Sequence, residues 1–173
     1  MTREDSFKPV QPAEASRPSA FDTIVYGGLA IAVLDAVDAM AFFWFYAGAA
    51  PVRIWQSVAA GILGREAAVA GGLMTSGLGL TLHFVIAFLV ASVYYLGTRV
   101  SGFLVRHPVV SGLSFGVIAY FVMQYVVIPL SAAPGTAEFR LGPFLNGVIG
   151  HAFLVGLPVA LIAARSAARR VIR

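Results

Sequence analysis

The chain has 173 residues, of which 59% are apolar and only 12% are charged, and its mean hydropathy is +0.85. Soluble domains are about 45–50% apolar and about 25% charged. This composition excludes a protein that is surrounded by water on all sides. The chain also contains no cysteine, which excludes thiol catalysis, disulfide exchange and thiolate metal sites.

The N-terminal segment differs from the rest of the chain. Residues 1–20 alternate charged side chains with three prolines and contain no apolar core. A signal peptide requires such a core, and a folded segment requires apolar residues to bury. We therefore predict a disordered cytoplasmic tail over residues 1–20.

Four stretches of the chain are long enough to cross a membrane, which requires about 20 mostly apolar residues. Three of them contain no charged residue, or only a histidine. The fourth, residues 23–50, carries Asp35 and Asp38 between apolar and aromatic flanks, and four packed helices bury such carboxylates more readily than three. The other stretches are residues 67–98 with His83, residues 108–137, and residues 141–164 with His151.

These stretches predict an all-α polytopic membrane protein with four transmembrane helices in a bundle. The membrane domain covers residues 21–165, and its short connections make neighbouring helices antiparallel. The predicted spans are residues 21–48, 76–98, 108–131 and 144–165.

A short amphipathic segment lies between the first two spans. Residues 52–67 place three aliphatic side chains at helical spacing, with Trp55 beside them and polar side chains opposite. We predict an interfacial helix on the outer leaflet. The alternative is an outward extension of the second span. The aliphatic residues are Ile54, Val58 and Ile62, and the polar residues are Arg53, Gln56 and Arg65.

The basic residues are distributed unevenly. Four spans place the N-terminal tail, the loop over residues 97–108 and the C-terminal tail on one side, with nine of the twelve basic residues. The positive-inside rule then predicts cytoplasmic termini. Residues 166–173 form a basic cytoplasmic tail, which we expect to face anionic lipid headgroups and not nucleic acid. The basic residues on the other side are Arg53, Arg65 and Arg140.

Polar residues inside the spans share helix faces with small residues, which mark helix contacts in membranes. Helical spacing places Asp35 on the face of Gly28, and His151 one turn from Gly147. Counted from the outer ends of the spans, the histidines lie about 10 Å deep. We predict a buried polar layer in the outer half of the membrane. Its members are Asp35, Asp38, His83, Gln124 and His151.

Three interpretations of this layer remain open. Burying a charged carboxylate costs about 2.5–3.5 kcal/mol, so ionisable residues in a membrane indicate function by default. The layer can serve as hydrogen-bonding contacts between helices, or as a proton-titrating or small-solute site open to the outside. In the third interpretation, His83 and His151 ligate a metal or haem from different helices. The sequence identifies no cofactor.

Three motifs carry a resemblance to a known family. His83 opens an apolar helix in LHFVIAFLV, a glycine-led third helix ends in a proline, and a glycine–histidine pair at His151 opens the last helix. Over residues 76–165 this pattern resembles the YagU-like family of bacterial inner-membrane proteins. The resemblance implies that both histidines are family features, and it implies a loose association with acid tolerance. The chain departs from the family at Met123 and Gln124, where a further histidine is expected.

The sequence thus predicts a non-enzymatic inner-membrane protein with lipid as its partner, acting alone or as a homo-oligomer. No pair of residues is arranged as nucleophile and base. The nearest candidate pair is His83 with Ser76, which lies seven residues away at the membrane surface. A link to envelope or acid stress follows from the resemblance alone. The alternatives are a small-solute or proton transporter or channel acting as an oligomer, and a haem- or metal-binding redox subunit.

Overall fold

The computed structural model describes residues 17–133 and 139–171, and this part of the chain is helical without strands. Four helices are long and apolar enough to cross a membrane, which confirms that sequence prediction. They are α1 (Asp22–Ala47), α4 (Gly72–Val100), α6 (Pro108–Val127) and α7 (Leu141–Arg170). The shorter helices are α2 (Pro51–Leu63), α3 (Arg65–Ala70) and α5 (Phe103–Arg106).

The predicted tail over residues 1–20 lies mostly outside the described residues. Its last part is described, and there the Pro18 side chain is fully buried. The backbone N–H of Ser19 donates to Ser166 Oγ at 2.9 Å, and Ser166 Oγ donates to Asp22 Oδ2 at 2.9 Å. These bonds attach the start of α1 to the end of α7.

The helix ends differ from the predicted ones by four or five residues in three places. α4 begins four residues before predicted residue 76, because side-chain hydrogen bonds hold its first turn. Gln56 Nε2 donates to the carbonyl of Gly72 at 3.0 Å, and Thr75 Oγ1 donates to the carbonyl of Ala68 at 2.5 Å. α6 ends four residues before residue 131, and α7 continues five residues past residue 165. Hydropathy contains no information on such hydrogen bonds, so it misplaces the start of α4. It also misplaces the end of α7, because a helix can continue into polar sequence.

Three of the long helices contain a π-helical turn, in which the backbone hydrogen bonds span five residues. Such turns are rare and often lie at functional sites. They cover Asp22–Tyr26 in α1, Met123–Val127 in α6 and His151–Gly156 in α7. Two of them therefore include a residue of the predicted polar layer, Gln124 or His151.

Helix α1 contacts both α4 and α7, and α6 packs along α7. The centre of these contacts is built largely from small side chains that are wholly or almost wholly buried. At one end of the molecule, Tyr94 Oη donates to the carbonyl of Leu104 at 3.0 Å and lies 3.1 Å from Ser111 Oγ. The central residues are Ala32, Ala87, Ala91, Val159 and Ala163.

Helices α6 and α7 approach each other most closely at glycines. A Cβ atom added to Gly116 would collide with the carbonyl of His151, and one added to Gly156 would collide with the carbonyl of Gly112. Close backbone approach through glycine allows the van der Waals packing that helps membrane helices associate where the hydrophobic effect is absent.

At the opposite end from Tyr94, α2 forms a helix of its own that folds back along α4. Gly64, with a φ of +77°, separates it from α3, and Gly72, with a φ of +57°, separates α3 from α4. α2 therefore ends at Leu63, before the predicted residue 67, and it is not a continuation of α4. The backbone of Trp55 lies directly against Gly79. We call this end of the molecule the α2 end.

A Gly116→Ala variant tests the contact between α6 and α7. Its new methyl group would meet the carbonyl of His151, and overpacking of this kind costs about 1–3 kcal/mol. Gly77→Ala is the matched control, because no atom lies within 4 Å of a Cβ placed at Gly77 in α4. We expect Gly116→Ala alone to lower the melting temperature in detergent, measured by tryptophan fluorescence. Equal melting temperatures of the two variants would contradict the described contact.

Candidate functional site

The polar residues of the predicted layer lie in the half of the helices nearest the α2 end. Asp35 follows the fully buried Ala32 by three residues and precedes the buried Ala36. Because α1 lies between α4 and α7, its buried face places the Asp35 side chain next to both of these helices. The side chains of Asp35, His83 and His151 are 22%, 13% and 23% exposed.

One carboxylate lies between two imidazoles. Asp35 Oδ2 is 3.9 Å from His83 Nδ1 on α4, and Asp35 Oδ1 is 3.9 Å from His151 Nδ1 on α7. We call these three residues the His–Asp–His cluster. The structure thus brings together three of the five predicted residues, one from each of three helices.

The second nitrogen of His83 determines where its protons lie. His83 Nε2 is 2.9 Å from the carbonyl oxygen of Ala32. A carbonyl only accepts hydrogen bonds, so His83 Nε2 must carry a hydrogen. In the neutral ring Nδ1 is then an acceptor, and it faces another acceptor, the carboxylate of Asp35. A second proton, on Nδ1 or on the carboxyl group, makes this contact attractive.

Aromatic rings surround both histidines. The ring of Trp55, from α2, lies 5.4 Å from the ring of His83, and the ring of Phe84 lies 6.0 Å from it. The ring of Tyr120, from α6, meets the ring of His151 edge-on at 5.4 Å. These aromatic groups restrict the orientation of the imidazoles. The contact between Trp55 and His83 could not be predicted from the sequence, because the fold-back of α2 along α4 leaves no periodic pattern of residues.

Asp38 belongs to a separate polar contact. Asn146 Nδ2 donates to Asp38 Oδ2 at 2.8 Å, and a Cβ atom added to Gly150 would lie 3.1 Å from the same oxygen. This carboxylate therefore joins α1 to α7 beside the cluster. The predicted polar layer thus contains two separate groups of contacts, the His–Asp–His cluster and the Asp38–Asn146 hydrogen bond.

Gln124 is not joined to the cluster. No hydrogen bond or ion pair connects its amide to another residue in the described part of the chain. The prediction assumed regular helical spacing throughout each span. The π-helical turn Met123–Val127 contains Gln124 and changes the rotation per residue, so that spacing does not hold there.

The geometry favours hydrogen bonding over metal ligation. Within residues 17–133 and 139–171, no group of three or more His, Cys, Asp or Glu residues is arranged to hold a metal ion. His83 and His151 both direct Nδ1 at a carboxylate, and His83 Nε2 is bonded to a backbone carbonyl. The Nε2 atom of His83 is thus occupied by this hydrogen bond and is not available to a haem iron.

No protein family, curated protein or solved structure matches this chain. The resemblance to the YagU-like family stays a prediction from the motifs. The chemistry of the site must therefore be inferred from its own geometry.

A His83→Phe variant tests the hydrogen bond of the cluster. The phenyl ring keeps the contact with Trp55 but removes the donor to the carbonyl of Ala32. Hydrogen bonds between membrane helices are worth about 0.6 kcal/mol on average and at most about 1.7 kcal/mol. We expect a loss of this size in a reversible unfolding assay. His107→Phe, at an exposed position, is the control and should leave the stability unchanged.

Proposed function

We propose that this chain is a multi-pass protein of the bacterial inner membrane, with cytoplasmic termini and with α2 at the outer surface. The exposed apolar side chains on the long helices support membrane insertion, since such large apolar surfaces mark interaction with a partner or a membrane. The 29 residues of α4 extend about 44 Å, which exceeds a bilayer core of about 30 Å. α2 packs along the first turns of α4. The extra length of α4 at this end supports an interfacial position for α2.

We further propose that the His–Asp–His cluster is a proton-binding site and that the protein is not an enzyme. The observation that carries this proposal is the hydrogen bond from His83 Nε2 to the carbonyl of Ala32, which leaves Nδ1 facing Asp35. The resemblance to the YagU-like family adds a link to acid stress, which a proton-binding site fits.

Proton uptake would strengthen the contact of three helices. A proton between Asp35 and His83 joins α1 to α4, and His151 stabilises the same carboxylate from α7. Within the described residues, the other ionisable side chains near the cluster are Asp38, which is bonded to Asn146, and Tyr120 beside His151. Trp55, from α2, adds no charge.

The geometry supports transport less well. A proton or solute path would require polar groups along the whole length of the helices. Between the cluster and Tyr94, the described core contacts of α1, α4 and α7 are made by apolar side chains. We therefore propose binding of a proton from the α2 end and not its passage across the membrane.

Nitrogen NMR tests the proton-binding site. The chain has three histidines, and we expect ¹⁵N spectra of the protein in nanodiscs to show a protonated Nε2 in His83. Either its Nδ1 is also protonated, or infrared spectra contain a carboxylic acid band that disappears in Asp35→Asn. Asp38→Asn should retain these signals, and the exposed His107 is an internal control. A His83 ring that carries its proton only on Nδ1 would contradict the proposal.

Cysteine labelling tests the orientation, because the chain contains no cysteine of its own. Ser57 in α2 and Ser101 after α4 are both exposed and lie at opposite ends of the molecule. In intact spheroplasts, we expect a membrane-impermeant maleimide to label Ser57→Cys and not Ser101→Cys. After the cells are broken open, both variants should react. Labelling of Ser101→Cys alone in intact spheroplasts would show the reverse orientation.

A further inference from the structure

A cleft at the α2 end is lined by residues outside the His–Asp–His cluster. Its volume is about 770 Å³, and three segments of the chain line it. α2 contributes Arg53 and Gln56, α3 contributes Arg65 and Val69, and the segment that follows α6 contributes Ile128. The cleft shares no residue with the cluster, so it requires an explanation of its own.

Backbone and amide hydrogen bonds hold the walls of this cleft together. The N–H of Ala132 donates to the carbonyl of Gly61 at 2.9 Å, which fixes the segment after α6 against α2. Gln56, only 3% exposed, donates from Nε2 to the carbonyl of Gly72 at 3.0 Å. Its Oε1 accepts a hydrogen bond from Arg53 Nη1 at 3.3 Å. Gln56 therefore orients the guanidinium of Arg53 at the cleft.

The charge of the cleft is unbalanced. Arg53 and Arg65 have no carboxylate partner within 4.0 Å in the described part of the chain, where the two ion pairs found both involve Asp35. The described residues that line the cleft include no aspartate or glutamate. Two of the three basic residues predicted for this side of the membrane thus share one concave site.

We propose that this cleft binds a phosphate group, with Arg53 and Arg65 as its ligands. One arginine guanidinium group can donate two parallel N–H hydrogen bonds to two oxygens of the same phosphate. Val69 and Ile128 provide apolar walls, which suit the glycerol and upper acyl part of an anionic phospholipid. The same two guanidinium groups would bind a soluble phosphate. The lipid source rests on the proposed membrane placement, whereas the phosphate chemistry does not.

Native mass spectrometry of the purified full chain in a neutral detergent tests this site. The probes are phosphatidylglycerol, phosphatidylcholine and inorganic phosphate. We expect phosphatidylglycerol to bind more tightly than phosphatidylcholine. The double variant Arg53→Gln/Arg65→Gln should bind phosphatidylglycerol about tenfold more weakly or worse, as expected for the loss of charge-assisted contacts. Arg140→Gln, also at the α2 end but outside the cleft, is the matched control and should bind like the wild type.

Each outcome of this experiment decides a question. If inorganic phosphate at a similar concentration displaces phosphatidylglycerol, the ligand is a soluble phosphate. If inorganic phosphate does not displace phosphatidylglycerol, the ligand is the lipid. Equal binding of the two lipids without phosphate binding, or an unchanged affinity in the double variant, would overturn the proposal. If the double glutamine variant does not fold, Arg53→Lys/Arg65→Lys retains the charge without the paired donors. We expect it to bind several-fold more weakly, and an unchanged affinity would overturn the guanidinium site.

Discussion

The Asp35 carboxylate lies in the middle of an apolar helix, and the contacts of three helices at that level depend on how it is partnered. Inside a membrane no water is present to solvate such a group, so its partners must come from the protein. His83 and His151 supply them from α4 and α7. The carboxylate thus adds polar contacts at this level to the small-residue packing of α1, α4 and α7.

Length and hydropathy were sufficient to predict the four long helices, because both are properties of a single continuous segment and do not depend on contacts with the rest of the chain. The meeting of Asp35, His83 and His151 could also be anticipated, since small residues mark the helix faces that carry them. Gln124 could not be placed, because a π-helical turn changes the phase of α6 where it lies. The pairing of Asp38 with Asn146 depends on the register between two helices, which a single sequence does not contain.

At the α2 end, too, the helix could be predicted from the sequence pattern, whereas its contacts with the rest of the chain could not. The amphipathic pattern predicted a helix between the first two spans, and α2 is present. The fold-back that places Trp55 against His83 depends on glycine conformations at Gly64 and Gly72. The wall formed by Ala132 depends on a single backbone hydrogen bond. Contacts of this kind leave no periodic pattern in the sequence. Neither the packing of Trp55 against the cluster nor the cleft that contains Arg53 and Arg65 could therefore be predicted.

The glycine contacts of α6 and α7 have a mechanical consequence. Because Gly116 has no side chain, the backbone of α6 lies against the carbonyl of His151. The turn that carries this imidazole is therefore packed against both α1 and α6. α6 contributes no residue to the cluster, yet a change at Gly116 would shift one of the two imidazoles without altering any of the three cluster residues.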